Sequence, residues 1–218
     1  VFTIVLRVFG GDFSVAFFGS LFVCDFFVFL FLNSINLSTM GKLFSFLSAC
    51  FLLFNNAFSQ TFTLRSNDIG GQATQKQFFN GMGCSGQNVS PQLSWENAPD
   101  GTAYFAVTMY DKDAPTGSGF WHWVIFNIPA SVNELKSGAG EIGKKIAPKE
   151  AIQSATDFGK PGYGGPCPPT GAPHQFLFTV YALKSKIDLD KTATPAMVGF
   201  YLNSNMLSKA SIVMYAKQ

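Results

Sequence analysis

The chain has 218 residues and carries 15 Lys and Arg against 13 Asp and Glu, a formal net charge of +2. With no basic run and no basic–aromatic stripe, nucleic acid is excluded as an expected partner. Apolar residues make up 47% of the chain but are unevenly spread. Residues 1–59 are crowded with Phe, Leu and Val, whereas 60–218 is mixed and long enough to bury the core of one domain.

The apolar third reads as an address label. Val1–Thr39 is expected to be untranslated upstream sequence; the alternative is a disordered or membrane-like segment, with Phe13–Leu32 long enough to span and Asp25 a costly interruption. Met40–Ser59 has the layout of a secretory signal peptide. Lys42 supplies a positive start, Leu43–Phe54 an apolar run, Asn55-Asn56 a break, and Ala57-Phe58-Ser59 a small-x-small cleavage site. That run falls short of the ~20 residues a membrane span needs. Leu47-Ser48-Ala49-Cys50 resembles a lipoprotein box, but Phe51–Phe54 keeps the run apolar past the cysteine, where a lipidated Cys is followed by a polar tether. The mature chain is therefore expected to start near Gln60 and to be periplasmic or secreted.

From Gln60 the pattern is of short strands and turns. Thr61–Ser66 alternates Phe62 and Leu64 with polar neighbours and predicts a strand, and Lys76–Asn80 a second short one. Gly81–Asn88 is a glycine-dense loop, and Ser90–Trp95 is extended because Pro91 biases its neighbour away from helix. Ala103–Tyr110, Trp121–Ile128 and Phe176–Leu183 are strong strands, the last apolar throughout and so expected to be central. Thr194 can cap a helix with Pro195 at its first position; Met197, Phe200, Tyr201 and Met206-Leu207 are expected to form its apolar face. Ala210–Tyr215 is a final strand. The sum predicts a mainly β fold, an antiparallel β sandwich with a C-terminal helix and few others.

Two acids, two histidines and one loop carry the chemistry. Asp111 and Asp113 end an apolar strand, and in extended chain they share a face. Two adjacent carboxylates repel, so one holds a proton or both need donors. A surface turn is an equally good reading of Asp-Lys-Asp-Ala-Pro, with Pro115 fixing the exit direction. Strand alternation puts Trp121, Trp123 and Ile125 on one face and His122, Val124 and Phe126 on the other. A lone His in such a strand is more often a satisfied core residue than a ligand. His174 follows the Gly/Pro-rich loop Gly162–Pro173, which is expected to expose backbone N–H groups and, with imidazole and acid groups, to cradle a small anion such as phosphate. Asn88-Val-Ser90 fits a glycosylation sequon, but Asn88 is expected to be structural, bonding its own backbone.

Taken together, Asp-x-Asp-Ala-Pro, Trp-His-Trp-Val-x-x-Asn-Ile-Pro, Asp-Phe-Gly-x-x-Gly-Tyr-Gly-Gly-Pro-Cys-Pro-Pro and Pro-His-x-Phe-x-Phe-x-Val-Tyr-Ala-Leu resemble the phosphatidylethanolamine-binding protein family. The closer likeness is to its bacterial, Raf kinase inhibitor-like branch, and Cys84…Asn88-Val-Ser-Pro-x-Leu-Ser-Trp95 fits as well. The resemblance covers about residues 61–216. It implies a β-rich fold with a small pocket for phosphate-like anions or a phospholipid headgroup. Asp111, Asp113, Pro115 and His122 match its first segment, and Gly165, Pro166 and His174 its second. The chain departs from the family pattern at Phe120, where Trp is frequent, at Phe176, where Tyr is frequent, and at Gly199-Phe200, where bacterial relatives often have Gly-His.

Only Cys84 and Cys167 remain after leader removal; in an exported protein they suggest one disulfide, against the alternative of two buried free thiols. The function this reading favours is non-enzymatic binding of a small anion, without cofactor or metal. The alternatives are a protein-interaction module that inhibits a kinase or protease, and, ranked last, a hydrolase or metal enzyme built on the two Asp and two His. No activated Ser or Cys motif and no His-x-x-x-His spacing supports the last. Bacterial relatives suggest a homodimer, which no residue pattern here specifies.

Overall fold

The computed structural model describes residues 2–8, 11–17 and 60–218, in two units, Val1–Ser59 and Gln60–Gln218. In the first unit, β1 (Phe2–Val8) pairs antiparallel with β2 (Gly11–Phe17) as a hairpin. The leader expected over Met40–Ser59 and the stretch 18–32 lie outside the described residues.

The second unit is built on a five-stranded antiparallel sheet. Its strands, in spatial order, are β10 (Ile152–Gln153), β8 (Phe120–Pro129), β7 (Tyr104–Asp111), β11 (His174–Leu183) and β12 (Met206–Ala216). A three-stranded sheet, β3 (Thr63–Arg65), β6 (Leu93–Glu96) and β9 (Glu134–Leu135), supplies the opposing layer. Alternation along the long strands decides what each face buries. Phe105, Val107, Met109, Phe176, Phe178 and Val180 pack against Leu64, Leu93, Trp95 and Leu135 of the small sheet. This is the sandwich that the strand pattern predicts, and β11 lies inside the sheet as expected.

The other face of the large sheet is covered by α1 (Pro195–Asn205) and the segment that leads to it. Thr194 caps the helix by accepting the Met197 N–H, with Pro195 at the first turn. The apolar face expected on this helix is not the one it buries. Val198 and Leu202, one turn apart, are buried against Ala106, Val124 and Phe126, while Met197, Phe200, Tyr201 and Leu207 are exposed. Their abundance draws attention in the sequence, but the i, i+4 pair closes the core.

Two further expectations are corrected. Lys76–Asn80 is largely a turn, since Gln77 and Phe78 donate back to the Thr74 carbonyl. The strands nearby are a two-residue hairpin, β4 (Asn80–Gly81) with β5 (Cys84–Ser85), inside the predicted loop. In β8 the simple alternation breaks twice. Tyr110 pairs with Trp121 and Met109 with Trp123, leaving His122 as an extra residue; Phe105 pairs with Ile128 and Val107 with Ile125, leaving one more residue on β8 than on β7. In that second stretch Asn127 adopts φ +58°, a left-handed backbone that Asn tolerates better than most residues.

Candidate functional site

The bulge at His122 sets the site. An extra residue in one strand bends it and re-aims side chains. Trp121 accordingly packs with the helix-side cluster of Val124 and Phe126, not with Trp123 as alternation predicts. His122 turns to the inner face, where its ring meets Phe120 at 5.1 Å, Phe176 at 5.0 Å and Phe158 at 5.2 Å between centroids. Phe158 is delivered by a loop pinned to β8: the Trp121 N–H donates to Asp157 Oδ2 (2.7 Å), and the Asp157 N–H to the Trp121 carbonyl (3.1 Å). The imidazole is 5% exposed within this aromatic nest.

Hydrogen bonding fixes its tautomer. Nδ1 lies 2.8 Å from the Gly164 carbonyl oxygen, which can only accept, so Nδ1 carries the proton and Nε2 keeps a lone pair. Burial pushes the imidazole pKa below 6.5, opposed by the Gly164 bond and the Asp111 charge; His122 is neutral at pH 7.

Asp111 and His174 meet at the adjoining strand ends. Asp111 pairs with Phe176 across β7 and β11, which sets its carboxylate beside His174, two residues back. Asp111 Oδ2 accepts from His174 Nδ1 at 2.8 Å, and Oδ1 accepts the Asp113 N–H at 2.9 Å. Asp111 is 3% exposed, and both its oxygens are held by donors. Nε2 of His174 is therefore the ring nitrogen not used by Asp111. The His174 ring stacks on Phe176 at 6.4 Å, the same phenyl group that meets His122 edge-on. Among the described residues no cluster of three or more His, Cys, Asp or Glu could hold a metal ion.

The remaining residues expected at the site have other placements. The Asp113 carboxylate is at the surface, accepting from Lys112 Nζ and the Gln175 N–H, both at 2.8 Å; the Lys112 bond, then the Gln175 bond, hold its pKa low. It buttresses the start of β11 and does not join the carboxylate of Asp111. Pro115 is exposed in the turn that follows. Gly165 and Pro166 are buried, and their loop does not offer the expected row of free N–H groups. Tyr163 N–H donates to Gly140 O, Gly164 N–H to His122 O, and Gly165 N–H to Asn88 Oδ1, while the Pro166 carbonyl accepts from Phe79. The glycines serve close packing. A Cβ on Gly165 would sit 2.0 Å from the Gln77 carbonyl oxygen, and one on Gly164 would sit 2.2 Å from the Phe158 ring.

Asn88 and Phe158 are the residues that sequence reasoning missed here. Asn88 bonds the distant loop and not only its own neighbourhood: Oδ1 takes the Gly165 N–H at 2.7 Å, and Nδ2 donates to the Tyr163 carbonyl at 3.3 Å. Its left-handed backbone, φ +54°, is a signal that a turn-forming Asn among glycines can give in advance. Tyr163 adds a third tie, its hydroxyl donating to the Gln77 carbonyl at 3.2 Å; burial raises its pKa. A disulfide joins Cys84 to Cys167, Cα to Cα 5.9 Å, across 83 residues, and staples the small hairpin to the same loop.

The comparisons with known proteins agree with this architecture. Residues 69–217 match the family model described as phosphatidylethanolamine-binding protein. The chain belongs to the phosphatidylethanolamine-binding protein family. Within that family it is 47% identical to YbcL of Escherichia coli over 161 residues, covering 72% of this chain and 88% of YbcL. It is 49% identical to E. coli YbhB over 152 residues, 68% of this chain and 96% of YbhB. The crystal structure of YbcL superposes with a TM-score of 0.71 at 46% identity, over 73% of this chain and 99% of that one. A phosphatidylethanolamine-binding protein homologue from Chlamydia trachomatis shares the fold, with a TM-score of 0.62 at 23% identity and coverage of 73% and 99%.

Proposed function

We propose that residues 60–218 form an exported, non-enzymatic module that binds a small phosphate-like anion at the Asp111–His174–His122 end of the sandwich. The observation that carries the reading is the 2.8 Å contact of Asp111 Oδ2 with His174 Nδ1, which orients Nε2 toward a ligand. A hydrogen bond from a ring N–H to an ionised phosphate oxygen is charge-assisted and among the stronger polar contacts available. Neutral His122 complements it, because its free Nε2 can accept from a ligand P–OH. With Asp111 3% and His122 5% exposed, the inner part of the site admits only a compact group, such as the end of a headgroup.

Binding suits these residues better than catalysis. Among the described residues no hydroxyl or thiol nucleophile bonds to either imidazole, and Asp111 is engaged in holding His174 and the Asp113 turn. Export is supported by the Met40–Ser59 leader pattern and by the Cys84–Cys167 bond, which persists in oxidising compartments.

Calorimetric titration with inorganic phosphate and with phosphoethanolamine tests the proposal. Saturable binding is expected, weakened at least tenfold in His174→Ala. Absence of saturation at millimolar ligand, or equal affinity in the variant, would overturn it. The two ligands separate a free anion from a headgroup as the target.

A further inference from the structure

An opening in residues 60–218 lies away from the histidines. A groove of about 630 Å³ runs between the 3-10 turn Ile142–Lys144, the loop that follows it, and β10. Its floor is apolar, with Ile142, Pro148 and Ile152, and its rim carries Lys145, Lys149 and Lys191. Asp111, His122 and His174 take no part in it.

The rim is cationic in excess. Its one acid, Glu141, is already engaged by Lys144 at 2.8 Å. Among the described residues no carboxylate pairs with Lys145, Lys149 or Lys191. The floor is held by the protein and not by a ligand: Ile152 pairs with Phe126 in the sheet, and Ala151 N–H donates to the Pro148 carbonyl. The Lys191 carbonyl accepts from Ala155, which anchors the far bank. Ile142, in the same apolar lining, is 52% exposed, an apolar side chain left in water.

We propose that this groove is a second binding site, for an amphiphilic anion: an alkyl chain ending in a single carboxylate, sulfate or phosphate. The volume falls within the range of small-molecule sites, roughly 300–1,000 Å³. The apolar floor takes the chain by removing it from water, and the lysine stems flank it while their ammonium groups stay at the rim. A neutral chain would leave those three charges without a counterpart, and a bare anion would leave the floor wet. An alkyl anion answers both, either as a free molecule or as part of a lipid.

The test uses octyl sulfate, decyl sulfate and decan-1-ol, each below its aggregation concentration, read by calorimetry and by amide chemical shifts. Saturable 1:1 binding of decyl sulfate is expected, with shifts at residues 142–153. Octyl sulfate should bind about tenfold more weakly, from two fewer buried methylenes. The combined Lys145→Gln, Lys149→Gln and Lys191→Gln variant should lose about tenfold, the sum of three exposed charge contacts. These side chains are exposed, so the fold is retained, and an unchanged urea midpoint checks that. His174→Ala should bind decyl sulfate as tightly as the parent, which separates this site from the imidazole pair. Equal affinity for decan-1-ol, no effect of the triple variant, or loss in His174→Ala would overturn the proposal. Binding only to phosphatidylglycerol vesicles, and not to monomeric decyl sulfate, would also overturn it, since a membrane surface and not the groove would then be recognised.

Discussion

Strand β8 is irregular at both ends, and the two irregularities do different work. At its start, the bulge at His122 turns an imidazole inward among three phenyl rings, next to Asp111 and His174. Near its end, Asn127 takes a left-handed backbone and is wholly buried. Its Oδ1 accepts the Ile187 N–H and its Nδ2 donates to the Ile187 carbonyl, both at 2.9 Å. One irregularity bonds a single ring nitrogen to the protein, and the other pairs both polar atoms of its side chain. A site needs residual hydrogen-bonding capacity; a scaffold joint needs none.

The two ends should therefore respond differently to damage. The largest effect is expected from the staple on the site end. Converting Cys84 and Cys167 to Ser should lower the unfolding free energy by about 4 kcal/mol on the loop-entropy account, with the loss visible in urea midpoints. Equal stability of the oxidised and reduced parent would contradict it. Next is Gly165→Ala, where the added methyl meets backbone at 2.0 Å and no flexible side chain can yield. A loss of about 3 kcal/mol is expected, together with loss of phosphate binding, because the Gly164 carbonyl that orients His122 belongs to the same loop.

At the scaffold end, Asn127→Ala should cost about 2–3 kcal/mol, from two buried backbone groups of Ile187 left without partners. Phosphate affinity should remain that of the parent. If ligand affinity falls along with stability, the two ends are coupled and the division between them fails.

The smallest effect is a pH dependence confined to the site end. His122 is depressed in the folded state, so the unfolded chain binds more protons just below pH 6.5. Its full contribution to stability is present above about pH 6.5 and is lost as pH falls through the lower, folded value. Urea midpoints between pH 7.5 and 5 should decline, and His122→Asn, whose amide can still serve the Gly164 carbonyl, should flatten that decline. An identical slope in the variant would assign the titration to other groups.

The long strands β7, β8 and β11 were legible because apolar alternation and β-branched content are local properties. The capped start of α1 was legible for the same reason, since Thr194-Pro195 forms its cap from adjacent residues. The helix face was not: Met197, Phe200 and Tyr201 are as apolar as Val198 and Leu202, and only the position of the sheet decides which pair is covered. The bulges were also illegible. Nothing in Trp121-His122-Trp123 announces an extra residue, because a bulge is defined by the partner strand.

The sequence by itself determined that residues 60–218 fold as a strand-rich domain of the phosphatidylethanolamine-binding protein family. It also determined which acids, histidines and loop had to be considered. The tertiary structure decided what each does. It set His174 on Asp111, turned Asp113 outward to Gln175 and Lys112, and committed the glycine loop's N–H groups to Gly140, His122 and Asn88. The physical reason is separation along the chain. Strand propensity acts over a few residues, whereas the contacts between Asp111 and His174, or Asn88 and Gly165, join positions 63 and 77 residues apart. Those contacts exist only once the sandwich has closed around them.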